Sequence, residues 1–185
     1  VPFVLPQVPG VVEALREGAE AGDVGCGAGV ALLEMAKAFP RSRFRGFDIS
    51  EHALARARRH QETAGAANAS FHDARREPLP QDARFAFVTT FDCLHDMADP
   101  AAAMRAIRAA IRPDGTWLIA DIKCHPSYEE NVARNPMAAM MYASSVLTCM
   151  SSALSEPGGL GLRTLGFHEG LAREMTAAAG FTRFE

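Results

Sequence analysis

The feature that most constrains this 185-residue chain is a glycine-rich segment, Asp23-Val24-Gly25-Cys26-Gly27-Ala28-Gly29. It follows residues 21–24, which we expect to form a strand, and it leads into residues 28–39, whose apolar side chains recur at helical spacing. Glycines in such a turn allow positive φ angles and a close approach of the ligand, while the helix start offers free N–H groups. The segment therefore predicts a strand–turn–helix unit that binds a polar cofactor, as found in α/β folds.

The remaining chain continues the alternation of strands and helices. Further strands are predicted at 43–48, 69–72, 85–91 and 116–122, and further helices at 11–18, 50–64 and from Asp99-Pro100 onward. Residues 113–115, Pro-Asp-Gly, are expected to turn the chain before the last of these strands. Because most connections are crossovers, we predict a Rossmann-like, doubly wound and mostly parallel sheet with helices on both faces.

The alternation of strands and helices ends after the fifth predicted strand. Residues 1–19 are predicted to be a lead-in linker and helix, and residues 20–185 the main domain, with a helical insertion at 126–166. The methionines between Met137 and Met150 fit either an adaptable lid over an acceptor or a packing surface, including that of a homodimer. A last helix is predicted at 168–179 and the start of a strand at 181–184, and we expect the chain to be truncated at both ends.

The bulk properties exclude several classes of partner. The net charge of −3 and the scattered basic residues argue against nucleic-acid binding. No apolar run is long enough to span a membrane and no signal peptide is visible, so we predict a cytoplasmic protein. The four cysteines and six histidines show no metal-ligand spacing, so no metal is predicted.

The spacing of the glycines separates two classes of cofactor. Dinucleotide-binding turns carry G-x-G-x-x-G, whereas this chain has glycines at 25, 27 and 29 and Val30 after them. Asp48, at the end of the second predicted strand, suits two ribose hydroxyls because a carboxylate accepts two hydrogen bonds at once. NAD-binding folds place an acid similarly, so Asp48 alone does not discriminate between the cofactors.

The turn resembles the first motif, D/E-x-G-x-G-x-G, of class I S-adenosylmethionine-dependent methyltransferases, in which it passes beneath the amino-acid and ribose portions of the cofactor. Asp73 stands where that family often has an acid for the adenine amino group, and Phe91-Asp92 stands beside the reactive methyl group. The resemblance covers residues 20–122 and implies S-adenosyl-L-methionine as the cofactor. The cofactor contacts that it implies are Asp23, Gly25, Cys26, Gly27, Gly29, Asp48, Ile49, Asp73, Ala74, Phe91 and Asp92.

A narrower resemblance concerns residues 91–100, FDCLHDMADP. This stretch, the insertion and the glycine-rich loop after it, and the lead-in before the first strand are similar to a bacterial subgroup of these methyltransferases. In that subgroup the methyltransferase domain follows an N-terminal winged-helix region, which would then precede Val1 here.

His95 is the predicted catalytic base, because a neutral imidazole accepts a proton near pH 7. It resembles the histidine in the xxHDW segment of small-molecule O-methyltransferases. The alternative is that His95 lines the cofactor pocket or caps a turn. His125, beside Pro126, and His168, at a predicted helix start, are weaker candidates.

The leading functional hypothesis is methyl transfer to O, N or C of a small-molecule acceptor. One alternative is a non-catalytic module that binds S-adenosylmethionine as a sensor or assembly unit. Another is an NAD-dependent oxidoreductase, which the glycine spacing and the absence of a Tyr-x-x-x-Lys pair disfavour.

Overall fold

A computed structural model describes all 185 residues, which form two compact units. The first comprises Val1–Phe91 and Ala109–Ile119, and the second comprises Asp92–Arg108 and Ala120–Glu185. No helix has both the length and the apolar composition needed to cross a membrane.

The first unit is built on a five-stranded, all-parallel sheet with the order β3-β2-β1-β4-β5. The strands are β1 (Glu20–Val24), β2 (Arg43–Asp48), β3 (Ala69–Asp73), β4 (Phe85–Phe91) and β5 (Ile111–Ala120). The pairing registers align Val24 with Phe47 and Asp48 with Asp73, so the carboxyl ends of the first three strands meet at one edge. The prediction of a Rossmann-like parallel sheet is confirmed.

The helices of this unit follow their predicted positions closely. They are α1 (Val11–Glu17), α2 (Val30–Ala38) and α3 (Glu51–Ala64). The hydroxyl of Ser50 accepts a hydrogen bond from the Ala53 N–H and caps α3, which ends at Gly65 in the left-handed region. Helix α2 begins two residues later than predicted, because Gly29 adopts a φ of 75° and therefore lies outside the helix.

One face of the sheet packs against these helices. The core contains Leu15 of α1, Leu32 of α2, Phe44 of β2, Leu54 of α3 and Phe87 of β4, all of which are buried. The lead-in segment before α1 also contributes to this core. The segment 1–10 includes a short 3-10 helix, Leu5–Gln7, whose Leu5 side chain joins the core.

The sequence prediction was wrong about β5. Residues 113–115 do not form a separate turn, because the strand runs through them from Ile111 and ends at Ala120 rather than at residue 122. Strand β5 is an edge strand, where a proline without an N–H group is tolerated because only one side of the strand needs a partner.

The second unit is helical beyond the loop that follows β4. That loop contains a short 3-10 helix, Leu94–Asp96, and the unit continues with α4 (Pro100–Ala110), α5 (Tyr128–Arg134), α6 (Ala138–Leu147), α7 (Cys149–Ala153) and α8 (Glu169–Ala178). The Asp99 carboxylate accepts from the Ala102 N–H, which confirms the predicted helix start at Asp99-Pro100. The predicted strand start at 181–184 is wrong: these residues form no strand, and the Phe184 carbonyl accepts a hydrogen bond from the Arg173 side chain.

Candidate functional site

The glycine-rich turn between β1 and α2 has the conformation that its composition predicts. Gly25, Gly27 and Gly29 all have positive φ angles, of 73°, 53° and 75°. The N–H groups of Gly25 and Cys26 both donate to the Phe47 carbonyl, at 2.8 and 3.2 Å, and join the turn to the end of β2. These two backbone hydrogen bonds therefore fix the turn against the end of β2.

Gly27 and Gly29 differ in how closely their neighbours confine them. A Cβ atom at Gly29 would lie 2.5 Å from the ring of Phe71, whereas a Cβ atom at Gly27 would meet nothing within 4 Å. The backbone at Gly27 thus borders open space, as a surface that receives a ligand must.

Asp48 connects the turn to the end of β2 through its side chain. Its Oδ2 atom accepts from the Gly27 N–H at 2.8 Å, and its Oδ1 atom accepts from the Ser50 N–H at 2.8 Å. Each carboxylate oxygen has two acceptor positions, so one on each oxygen remains for a ligand hydroxyl. This arrangement is compatible with the predicted pair of hydrogen bonds to a ribose.

Asp23 lies at the end of β1 with 2% of its surface exposed. Its Oδ1 atom accepts a hydrogen bond from the Thr89 hydroxyl at 2.8 Å. Burial and the negative charge of Asp48 raise the pKa of Asp23 to about 7, although the Thr89 hydrogen bond acts in the opposite direction. Asp23 is thus partly protonated near neutral pH. In its neutral form the carboxyl group can donate a hydrogen bond as well as accept one.

Asp73 ends β3 and is oriented by its own loop. Its Oδ1 atom accepts from the Arg75 N–H at 3.0 Å, and its Oδ2 atom lies 3.3 Å from the Arg76 Nε atom. Ala74 donates its N–H to the Asp48 carbonyl at 2.9 Å, which links the ends of β2 and β3. Ile49, beside Asp48, leaves 51% of its surface exposed and offers an apolar face at this edge.

Phe91 and Asp92 occupy the end of β4 and the residue after it. Phe91 is half-buried, while the Asp92 side chain is 67% exposed and its φ is 52°, an unusual value for a residue other than glycine. The Asp92 N–H donates to the Ala120 carbonyl at 2.7 Å, which fixes this bend within the second unit.

His95 is buried, with 2% of its surface exposed, and both of its ring nitrogens face carboxylates. Nδ1 lies 2.6 Å from Asp121 Oδ1, and Nε2 lies 3.2 Å from Asp96 Oδ1. Burial alone would lower the pKa of His95, but the hydrogen bond and charge of Asp121 and the charge of Asp96 outweigh it and raise that pKa to about 9. In this arrangement His95 holds its proton at pH 7.

Sequence reasoning missed four partners at these positions: Thr89, Asp96, Asp121 and Cys149. Cys149, in α7, adds a hydrogen bond to His95 and accepts or donates one with the Thr164 hydroxyl at 2.8 Å. Asp96 directly follows His95 in the segment 91–100, whereas Thr89, Asp121 and Cys149 come from other elements and share no motif with it. The carboxyl-end position of Asp121, just after β5, was the available signal for that residue.

The two other candidate histidines have local structural roles. The backbone of His125 is bonded in both directions to the Asn131 side chain, at 2.8 and 2.9 Å. His168 precedes α8, and its Nδ1 atom accepts from the Leu171 N–H at 3.2 Å, so it caps the predicted helix.

Comparison with known proteins points to one family. The model of a methyltransferase domain family matches residues 15–179. The ubiquinone biosynthesis O-methyltransferase of Neisseria meningitidis is 31% identical over 106 residues, which are 56% of this chain and 44% of that protein. The chain spans less than half the length of this relative.

Two solved structures have the same fold. Phosphoethanolamine N-methyltransferase 2 of Haemonchus contortus, in complex with S-adenosyl-L-methionine, matches with a TM-score of 0.63 and 21% identity over 89% of this chain and 33% of its own. The [4+2]-cyclase SpnF matches with a TM-score of 0.64 and 22% identity over 94% of this chain and 57% of its own. Since the family match extends over most of the sequence, the chain belongs to the methyltransferase domain family.

Proposed function

We propose that this chain transfers a methyl group from S-adenosyl-L-methionine to a small-molecule acceptor by in-line displacement. The observation that carries the proposal is the glycine turn after β1, whose Gly27 N–H is bonded to the Asp48 carboxylate at 2.8 Å. The turn and the acid belong to the same unit, and together they form a preorganised polar surface at the carboxyl edge of the sheet.

The proposed cofactor contacts follow from the positions of the side chains at that edge. Asp48 would accept from the ribose hydroxyls, and Asp73 from the adenine amino group. The exposed side chain of Ile49 would pack against the adenine ring, because it is the apolar surface beside Asp48. The remaining proposed contacts are Asp23, Gly25, Cys26, Gly27, Gly29, Ala74, Phe91 and Asp92.

The chemistry requires little from the protein beyond alignment. The positive charge on the sulfonium disappears as the methyl group moves, so positioning the acceptor and excluding water supply much of the rate enhancement. The base role of His95 stays a prediction, and its contacts weigh against it because Asp96 and Asp121 face both ring nitrogens. We therefore favour transfer to an acceptor atom that needs no early removal of a proton.

The role of the insertion, the subgroup, the location and the absence of nucleic-acid binding are further parts of the proposal. The inserted segment 126–166 would select the acceptor or join two copies of the chain, and its exposed Met140, Val146 and Leu147 support either role. Membership of the winged-helix subgroup rests on the sequence of residues 91–100, the insertion with its glycine-rich loop, and the lead-in before β1. The proposed cytoplasmic location rests on composition, and the proposed absence of nucleic-acid binding rests on the net charge of −3.

Turnover with a labelled methyl donor tests the proposal. The chain would be incubated with methyl-tritiated S-adenosylmethionine and a panel of phenols, amines and carbon acids, and extracted products counted. We expect protein-dependent label in one acceptor class. Binding of the donor without transfer to any class would favour the non-catalytic alternative, a sensor or assembly module.

A further inference from the structure

The cluster around His95 contains ligand types that the methyl-transfer proposal does not use. One imidazole nitrogen, one carboxylate oxygen and one thiol sulfur, from His95, Asp96 and Cys149, lie within 4.8 Å of one another. All three residues belong to the second unit. We propose that His95 Nε2, Asp96 Oδ1 and Cys149 Sγ form a zinc-binding site with a fourth coordination position left open.

The separations fit a tetrahedral zinc ion. Ligand atoms bound to one tetrahedral Zn²⁺ at ~2.0–2.3 Å lie about 3.3–3.7 Å from each other. Nε2 of His95 and Oδ1 of Asp96 are already 3.2 Å apart, and the sulfur of Cys149 lies within 4.8 Å of both atoms, so binding would require it to move inward by at most about 1 Å. Nitrogen, oxygen and sulfur are the donor atoms that zinc takes in proteins.

The ligands already have the supporting contacts that metal sites require. Asp121 accepts from His95 Nδ1 at 2.6 Å, which directs Nε2 toward Asp96 and Cys149. The Thr164 hydroxyl lies 2.8 Å from Cys149 Sγ and would donate to it as a thiolate. A carboxylate behind a ligating histidine and a hydroxyl beside a ligating thiolate orient the ligands and tune their basicity.

A second observation supports a cation site at this cluster. Oδ1 of Asp96 and Oδ2 of Asp121 are buried and accept no hydrogen bond, although Oδ1 of Asp96 lies 3.2 Å from His95 Nε2. The Asp121 side chain is 8% exposed, so water reaches it poorly. Buried carboxylate oxygens without partners are rare because they lose their hydration without compensation. A bound Zn²⁺ would partner Asp96 directly and, with Cys149 as a thiolate, leave the first coordination shell neutral.

The competing explanation is an ion pair without metal, in which a protonated His95 is held between Asp96 and Asp121. In that explanation Cys149 contributes only a hydrogen bond to His95, and Asp121 Oδ2 stays without a hydrogen-bond donor. Experiment separates the zinc site from the ion pair, because a zinc ion bound to His95 Nε2 replaces the proton on that nitrogen. The zinc site does not depend on the proposed methyl transfer, and either can fail alone.

Zinc titration of the full chain tests the inference. Untagged protein would be stripped with a chelator, titrated with zinc chloride against a chromophoric chelator, and analysed for metal content. We expect one zinc per chain and a lower affinity by at least about 10-fold in Cys149→Ser. Asp121→Asn should weaken binding by about 10- to 100-fold, since it removes only the support behind His95.

The matched control is Cys124→Ser, because this thiol lies near Asp121 but outside the cluster. Its zinc affinity should equal that of the wild type. Cobalt added to the stripped wild type should also give a thiolate charge-transfer absorption, a readout that needs no variant to fold. Substoichiometric zinc, or equal affinity in Cys149→Ser and the wild type, would overturn the site in favour of the ion pair.

Discussion

Among the glycines of the first turn, Gly27 and Gly29 share a positive φ but differ in their surroundings. Gly27 faces open space, while the ring of Phe71 occupies the position that a Cβ atom at Gly29 would need. The sequence predicts a special backbone at both positions, but it does not reveal that only one of them is also a packing site.

The two alanine variants should therefore differ in stability. Gly27→Ala incurs only the left-handed backbone penalty, about 1 kcal/mol, whereas Gly29→Ala adds overpacking against Phe71 and should lose about 3 kcal/mol. Urea unfolding of the two variants measures the difference. Equal losses would mean that Phe71 does not confine Gly29.

Asp48→Asn tests the proposed ribose contact. The variant keeps the size of the side chain but replaces one accepting oxygen by an amide that donates, so S-adenosylhomocysteine should bind more weakly by ~1.5–3 kcal/mol. Isothermal titration gives the affinity directly. Asp114→Asn, an exposed change on β5, is the control and should bind as the wild type does. Unchanged affinity in Asp48→Asn would remove Asp48 from the cofactor site.

The raised pKa of Asp23 predicts a pH dependence of stability. Its unfolded carboxyl ionises near pH 3.8 and its folded carboxyl near pH 7, so the folded state holds the extra proton between these values. The contribution of Asp23 to the free energy of unfolding is most favourable below pH 3.8. It falls as the pH rises to about 7 and stays constant above pH 7. The full change is about 4 kcal/mol.

Asp23→Asn isolates this effect, since its amide oxygen can still accept from Thr89 but does not titrate. The difference in unfolding free energy between the variant and the wild type should shift in favour of the variant as pH rises from 4 to about 7. Urea unfolding at several pH values gives this difference. A difference that is flat with pH would contradict the burial of an ionisable Asp23.

At the scale of single elements, local signals predicted most boundaries. Ser50 before α3 and Asp99 before α4 both cap their helices as their residue types indicate. Strand β5 was predicted less well, because proline, aspartate and glycine at 113–115 usually mark a turn but are tolerated on an edge strand. Which strand lies at an edge is a tertiary property and could not be read locally.

The stability of the loop after β4 depends on His95, Asp96 and Asp121, whose charges come together only in the folded chain. In the metal-free protein, His95→Ala would leave the buried Asp121 and the partly exposed Asp96 without the imidazolium between them. We expect a loss of about 3–5 kcal/mol in unfolding free energy. Urea unfolding in the presence of chelator measures it. A loss below about 1 kcal/mol would show that these carboxylates are solvated rather than paired.

At the scale of the whole molecule, the parallel sheet was predictable because alternating strands and helices permit few topologies. The cofactor turn was predictable because its glycines are required by backbone geometry. The acceptor could not be predicted, since the helices and the loop of segment 126–166 carry no sequence motif for an acceptor class. The partners of His95 were also hidden, because Cys149 and Asp121 reach it from separate elements.

The central claim is that the glycine turn binds S-adenosylmethionine rather than a dinucleotide. Calorimetric titration of the chain with S-adenosylhomocysteine and, separately, with NAD tests it most directly. We predict saturable one-to-one binding of S-adenosylhomocysteine and no measurable heat with NAD. Tight binding of NAD alone would contradict the claim and favour an oxidoreductase.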